Sequence, residues 1–84
     1  MKMVEIYTTS LCGYCHAAKR LLGQKKVAFV ETDVGADAQL RAVMMSRAGG
    51  RRSVPQIFIG GVHVGGCDDL HALDDAGKLD AMLA

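Results

Sequence analysis

The chain has 84 residues, with 10 Lys and Arg against 9 Asp and Glu, a formal charge of +1, and half of its residues hydrophobic. That composition excludes disorder. The near-neutral charge, with no Trp and only two Phe, supplies neither a field nor stacking platforms for nucleic acid. No apolar run approaches the roughly 18 residues that cross a bilayer, so no membrane partner is expected. The opening residues alternate like a strand and lack the apolar core of a secretory signal, which reads as a cytoplasmic chain. The length predicts a single domain over residues 1–84.

Met3 to Thr8 alternates and is rich in strand formers, which predicts the first strand. Gly13 to Lys26 is made mostly of helix formers, with Ala18, Leu21 and Leu22 at the spacing of a core-facing stripe. Val27 to Thr32 reads as a second strand and Ala36 to Ala48 as a second helix. In that helix Leu40, Val43 and Met44 are expected to face the core, with Arg41 and Arg47 pointing elsewhere. Gly49-Gly50 stops it.

Gln56 to Ile59 is a short strand, Gly60-Gly61 a two-residue hairpin turn, and Val62 to Val64 the return strand. Cys67-Asp68-Asp69 opens a helix carrying Leu70 and Leu73, and Gly77 punctuates it. Leu79, Met82 and Leu83 form a last apolar stripe. The order β-α-β-α-β-β-α predicts an α/β fold: a parallel crossover followed by an antiparallel hairpin, in a four-stranded mixed sheet with helices on both faces.

The chain holds three cysteines, two of them spaced as Cys12-Gly13-Tyr14-Cys15 where a strand ends and a helix begins. Free N–H groups and partial positive charge at a helix start favour a thiolate. Thiols placed this way have pKa values lowered to roughly 3.5–7.5. Cys12 stands at the first turn and is expected to attack. Cys15, three residues on and deeper, is expected to resolve the mixed disulfide. Tyr14 is either a wall beside the sulfur or a half-exposed packing residue, and His16 is read as a surface residue. A zinc site would have to recruit Cys67, His16, His63 or His71 without a second CxxC pair, so the redox reading is preferred.

Pro55 in Ser53-Val54-Pro55-Gln56 belongs at the first position of a strand, because proline cannot donate to a ladder. A cis Val54–Pro55 bond would leave the Val54 backbone free for an extended peptide; a plain strand-starting proline is the alternative. Gly65-Gly66-Cys67-Asp68-Asp69 is either an anion site at a helix start or an ordinary glycine turn with an Asp cap. As an anion site it would take a carboxylate at the backbone and an ammonium at Asp68 or Asp69. Cys67 is read as a small apolar filler. Arg41, Arg47, Arg51 and Arg52 are the notable basic set, and Arg47 and Arg51 are read as solvated.

Taken together, Glu5-Ile6-Tyr7-Thr8, Cys12-Gly13-Tyr14-Cys15-His16, Ser53 to Ile59 and Gly65 to Leu70 resemble a bacterial dithiol glutaredoxin along essentially the whole chain. The resemblance implies a thioredoxin-like fold, a cis Pro55, and glutathione-dependent reduction of protein disulfides and glutathione mixed disulfides. It implies glutathione bound at Tyr14, Ser53, Val54 and Pro55, with its γ-glutamyl end at Gly66, Cys67 and Asp68 and its glycine carboxylate at Arg41. The implied partners are glutathione and glutathionylated or disulfide-bearing proteins, among them ribonucleotide reductase, met by a monomer. Two departures stand out. Thr9 occupies a position where many members have Lys. Gly13 replaces a common Pro, which opens an alternative reading: a [2Fe–2S] carrier dimer with Cys12 and glutathione as ligands, and no other metal site.

Overall fold

In a computed structural model, residues 2–84 are described, and the alternation near the start becomes β1, Val4–Thr8. The remaining elements are α1 (Gly13–Gln24), β2 (Phe29–Asp33), α2 (Ala38–Arg47), β3 (Gln56–Ile59), β4 (Val62–Gly65), α3 (Cys67–Asp75) and a short α4 (Leu79–Leu83). The last apolar stripe is thus a helix of its own. The four-stranded sheet runs β2-β1-β3-β4. β1 pairs parallel with β2 and antiparallel with β3, and β3 pairs antiparallel with β4. The mixed sheet expected from the sequence is present.

Period-2 alternation divides the central strands between two cores. Val4, Ile6, Ile57 and Ile59 face one side, where Ala18, Leu21 and Leu22 of α1, Leu70 of α3, and Leu79 and Leu83 of α4 close over them. Tyr7 and Phe58 face the other side and pack with Val34 and with Met44 and Ala48 at the end of α2. Truncating a buried leucine in such a core to alanine costs about 2–5 kcal/mol.

Several boundaries move for local reasons. α1 ends at Gln24 because Lys26 takes a left-handed conformation (φ 58°) and the Lys26 and Val27 N–H groups turn back to the carbonyls of Gly23 and Leu22. Val27 is therefore a buried loop plug, and β2 begins at Phe29. Asp37 caps α2 by accepting the Leu40 N–H at 3.0 Å, which starts that helix at Ala38. Gly60 and Gly61 both have positive φ (58° and 81°), the geometry of a two-residue hairpin turn matched to strand twist.

The face of α2 differs from expectation. Met44 is buried, but Leu40 and Val43 are exposed. Arg47, expected to point away and read as solvated, lies across the sheet instead. Its guanidinium carbon sits 4.1 Å from the Phe58 ring centroid. Its two terminal nitrogens donate to both Glu5 carboxylate oxygens at 3.0 Å, and Nη1 also donates to the Tyr7 hydroxyl at 2.9 Å. A planar cation can cover an aromatic ring while its N–H groups are spent on a carboxylate, so this arginine does the work expected of Leu40 and Val43. Glu5 is held below the usual carboxylate range by these Arg47 hydrogen bonds.

Candidate active site

β1 delivers the chain to Cys12, and Cys12 becomes the N-cap of α1. Its backbone is extended (φ −121°, ψ 106°), and its sulfur accepts the Cys15 N–H at 3.0 Å. The sulfur thus fills the role that a serine or aspartate oxygen plays at most helix starts. The first turn of α1 carries no acidic residue to oppose negative charge there. Cys12 is half-buried and Cys15 buried, as the roles read from the spacing require. The two are joined as a disulfide with their Cα atoms 5.2 Å apart.

The second wall comes from the far end of the sheet. Tyr7 of β1 pairs with Gln56 of β3, so the residues before Gln56 lie beside the residues after β1. The Val54–Pro55 bond is cis, and the Val54 carbonyl oxygen lies 3.8 Å from Cys12 Sγ. Gln56 is fully buried. Its Nε2 donates to the Ser53 carbonyl at 3.0 Å and the Ser53 hydroxyl at 3.3 Å. Its Oε1 is paired with His63 Nε2 at 2.7 Å. His63, on β4, thereby orients the amide that braces the Ser53–Pro55 turn.

An open groove of about 190 Å³ runs along this wall, with Tyr14, Ser53, Val54, Pro55, Gly66, Cys67 and Asp68 among its lining. Seven residues singled out from three separate stretches of sequence therefore share one concavity, and Val54 in it lies 3.8 Å from the Cys12 sulfur. Tyr14 is 69% exposed and lines the groove. Arg41 is not in the lining; its Nη1 donates to the Arg52 carbonyl at 3.0 Å, against the segment leading into Ser53.

The groove also holds Arg51, which was not assigned to the site from sequence, and Asp69, which the sequence offered only as an alternative to Asp68 for an ammonium. Asp69, the third residue of α3, is the capping-box partner of the N-cap Gly66 and accepts its N–H at 2.8 Å. The same oxygen accepts from Arg51 Nη1 at 3.2 Å. Arg51, read as solvated, is an exposed side chain that also ion-pairs with Asp69 at the groove. The Gly66 N–H, and after it Arg51, hold the Asp69 carboxyl below the usual range. The spacing of Gly66 and Asp69 is that of a capping box; Arg51 lies 18 residues from Asp69 and carries no local signal.

Cys67 is buried, and burial followed by the Asp68 charge pushes its thiol up. Both effects disfavour its thiolate form. Its sulfur lies 3.4 Å from His71 Nδ1. Among the described residues, no group of three or more His, Cys, Asp or Glu side chains is arranged to hold a metal ion. No described helix is long and apolar enough to cross a membrane.

Comparison with known proteins agrees with this geometry. A sequence profile described as Glutaredoxin matches residues 4–64. Glutaredoxin 3 of Escherichia coli strain K12 is 53% identical over 83 residues, spanning 99% of this chain and 99% of that protein. The solution structure of glutaredoxin from Brucella melitensis superposes with a TM-score of 0.87 at 57% identity, covering 99% of this chain and 89% of the other. The crystal structure of a buckwheat glutaredoxin–glutathione complex gives 0.87 at 30% identity, over 98% and 76%. With its CxxC pair at the start of α1 and its thioredoxin-like sheet, the chain belongs to the glutaredoxin family of thiol–disulfide oxidoreductases.

Proposed function

We propose that the chain, folded as one glutaredoxin domain over residues 1–84, uses glutathione to reduce protein disulfides and glutathione mixed disulfides through Cys12. The observation that carries this reading is the Cys12 sulfur at the α1 cap, 3.0 Å from the Cys15 N–H and 3.8 Å from the carbonyl oxygen of Val54, which lines the groove. The glutathione named in the buckwheat complex supports the choice of tripeptide. Its cysteinyl part would lie extended along Val54, and its γ-glutamyl end at Gly66, Cys67 and Asp68. Tyr14, Ser53 and Pro55 would complete the walls. Arg41 would meet the glycine carboxylate by turning from the Arg52 carbonyl.

The Cys12 thiolate attacks the glutathionyl sulfur of a mixed disulfide; a Cys12–glutathione disulfide forms and the substrate thiolate leaves, taking a proton from solvent. A second glutathione thiolate attacks the bound glutathionyl sulfur, which yields glutathione disulfide and restores the Cys12 thiolate. With a protein disulfide, Cys12 forms the mixed disulfide and Cys15 attacks the Cys12 sulfur, releasing the protein dithiol. Two glutathiones then reduce Cys12–Cys15. Ribonucleotide reductase is one disulfide-bearing partner of suitable chemistry, and a monomer in a glutathione-rich cytoplasm is the setting that fits this cycle.

Gly13 motivates a second reading, a [2Fe–2S] carrier. The described residues of one chain hold no group of three or more His, Cys, Asp or Glu placed for a metal, so Cys12 from two copies and two glutathione thiols would hold the cluster. Anaerobic purification with glutathione tests this: a brown dimer supports it, and a colourless monomer removes it. The primary reading is tested by a glutathione-coupled assay on two variants. Cys15→Ser is expected to retain deglutathionylation and lose protein-disulfide reduction, while Cys12→Ser loses both. Deglutathionylation by Cys12→Ser would overturn the assignment.

A further inference from the structure

Arg51 is the one cationic side chain on the groove wall among the described residues. Asp69 fixes it by a single nitrogen, Nη1, through the carboxylate oxygen that also caps Gly66. Nη2 makes no hydrogen bond to the described residues and hangs over Gly66, 3.6 Å from the point where a Cβ there would stand. Gly65, at φ 119°, allows this approach, because a side chain there would run into both the Asp69 carboxylate and Arg51. Asp68, next to Asp69 in the chain, is exposed and has no ion-pair partner among the described residues. The end of the groove therefore presents one oriented cation and one free carboxylate.

We propose that Arg51 binds the α-carboxylate of an unblocked amino-acid head group at this end of the groove, with Asp69 as its positioning residue and Asp68 receiving the ammonium. This rests on the glutathione reading and assigns Arg51 to the γ-glutamyl end of the tripeptide. Opposite charges lining one end of a groove match a zwitterion and penalise a ligand that lacks either charge. Asp69 does not take the ammonium itself, since its Oδ2 is already shared by Gly66 and Arg51.

The test uses mixed disulfides of one peptide with glutathione, with γ-glutamylcysteine and with cysteinylglycine. Arg51→Gln is expected to lower kcat/KM by about ten- to a hundredfold, through KM, for the two disulfides that keep the head group. The cysteinylglycine disulfide, which lacks it, is expected to show no such loss. Arg51→Lys restores part of the difference, and Asp69→Asn gives a smaller loss with the same pattern. An equal loss on all three substrates, a loss absent with γ-glutamylcysteine, or no loss on any of them would overturn the assignment of Arg51. If the unaltered protein does not prefer glutathione over cysteinylglycine, the glutathione reading falls, and this inference with it.

Discussion

The carbonyl oxygen of Val54 lies 3.8 Å from the sulfur of Cys12 across 42 residues of sequence. Two adjacent strands produce that approach. β1 runs toward Cys12, β3 runs away from Pro55, and the Tyr7–Gln56 pair sets their register. The groove is therefore a consequence of the sheet order, and residues that brace either strand end bear on the site.

Gln56 is the brace on the β3 side. Replacing it with leucine keeps the buried volume roughly constant but leaves the Ser53 carbonyl and the His63 ring without their partner. The expected result is a raised KM for a glutathione mixed disulfide, with kcat changed less, and a stability loss of about 1–3 kcal/mol. Steady-state kinetics and urea unfolding of Gln56→Leu measure both.

Glu5 and Arg47 brace the opposite face and give a pH signature. Their side chains are 27% and 31% exposed, so the pair is partly shielded from solvent. Glu5 is lowered from 4.5, chiefly by the Arg47 hydrogen bonds. A carboxyl lowered in the folded state contributes fully above its unfolded value and loses that contribution as pH falls through the folded value. The stability gap between the unaltered protein and Glu5→Gln is therefore expected to be constant near neutrality and to shrink below pH 4.5. Arg47→Ala, which also uncovers Phe58, is expected to cost about 2–3 kcal/mol at neutral pH. Denaturant titrations across that range check both.

Two glycines predict opposite outcomes. Gly23 lies inside α1 with nothing within 4 Å of an added Cβ. Gly23→Ala is expected to stabilise the protein by about 0.5–1 kcal/mol. Gly65 holds φ 119°, and an added Cβ would meet the Asp69 carboxylate. Gly65→Ala is expected to destabilise by about 1–3 kcal/mol and to weaken glutathione binding by displacing the Asp69–Arg51 pair. Thermal unfolding of the two variants separates the effects.

Much of the site was legible because it is written in short-range pattern. The Cys12–Cys15 spacing, the single proline and the double glycine before Cys67 each mark a local backbone requirement, and the strand alternation places them on one sheet. What escaped depends on partners far apart in sequence. The guanidinium of Arg47 looks polar to any hydropathy pattern, yet Glu5, 42 residues away, satisfies it so that its plane can cover Phe58. Leu40 and Val43 fit a helical stripe, but α2 meets the sheet mainly through Met44 and the Ala48 that follows it, leaving those two outside. Arg51 gains its place from Asp69 in the same non-local way. The separation of α4 from α3 turns on Gly77 at φ 71°, which the sequence marked as punctuation without showing that a helix resumes.

The charge state of the Cys12 sulfur is measured directly by the pH dependence of iodoacetamide alkylation in the reduced protein, read by mass spectrometry. Cys67 serves as the internal reference, since burial raises its thiol. The Cys12 rate is expected to hold its plateau well below the ordinary thiol value of about 8.5, with a single label at Cys12 near neutral pH. A Cys12 rate that rises only near that ordinary value, in step with Cys67, would contradict thiolate stabilisation at the start of α1.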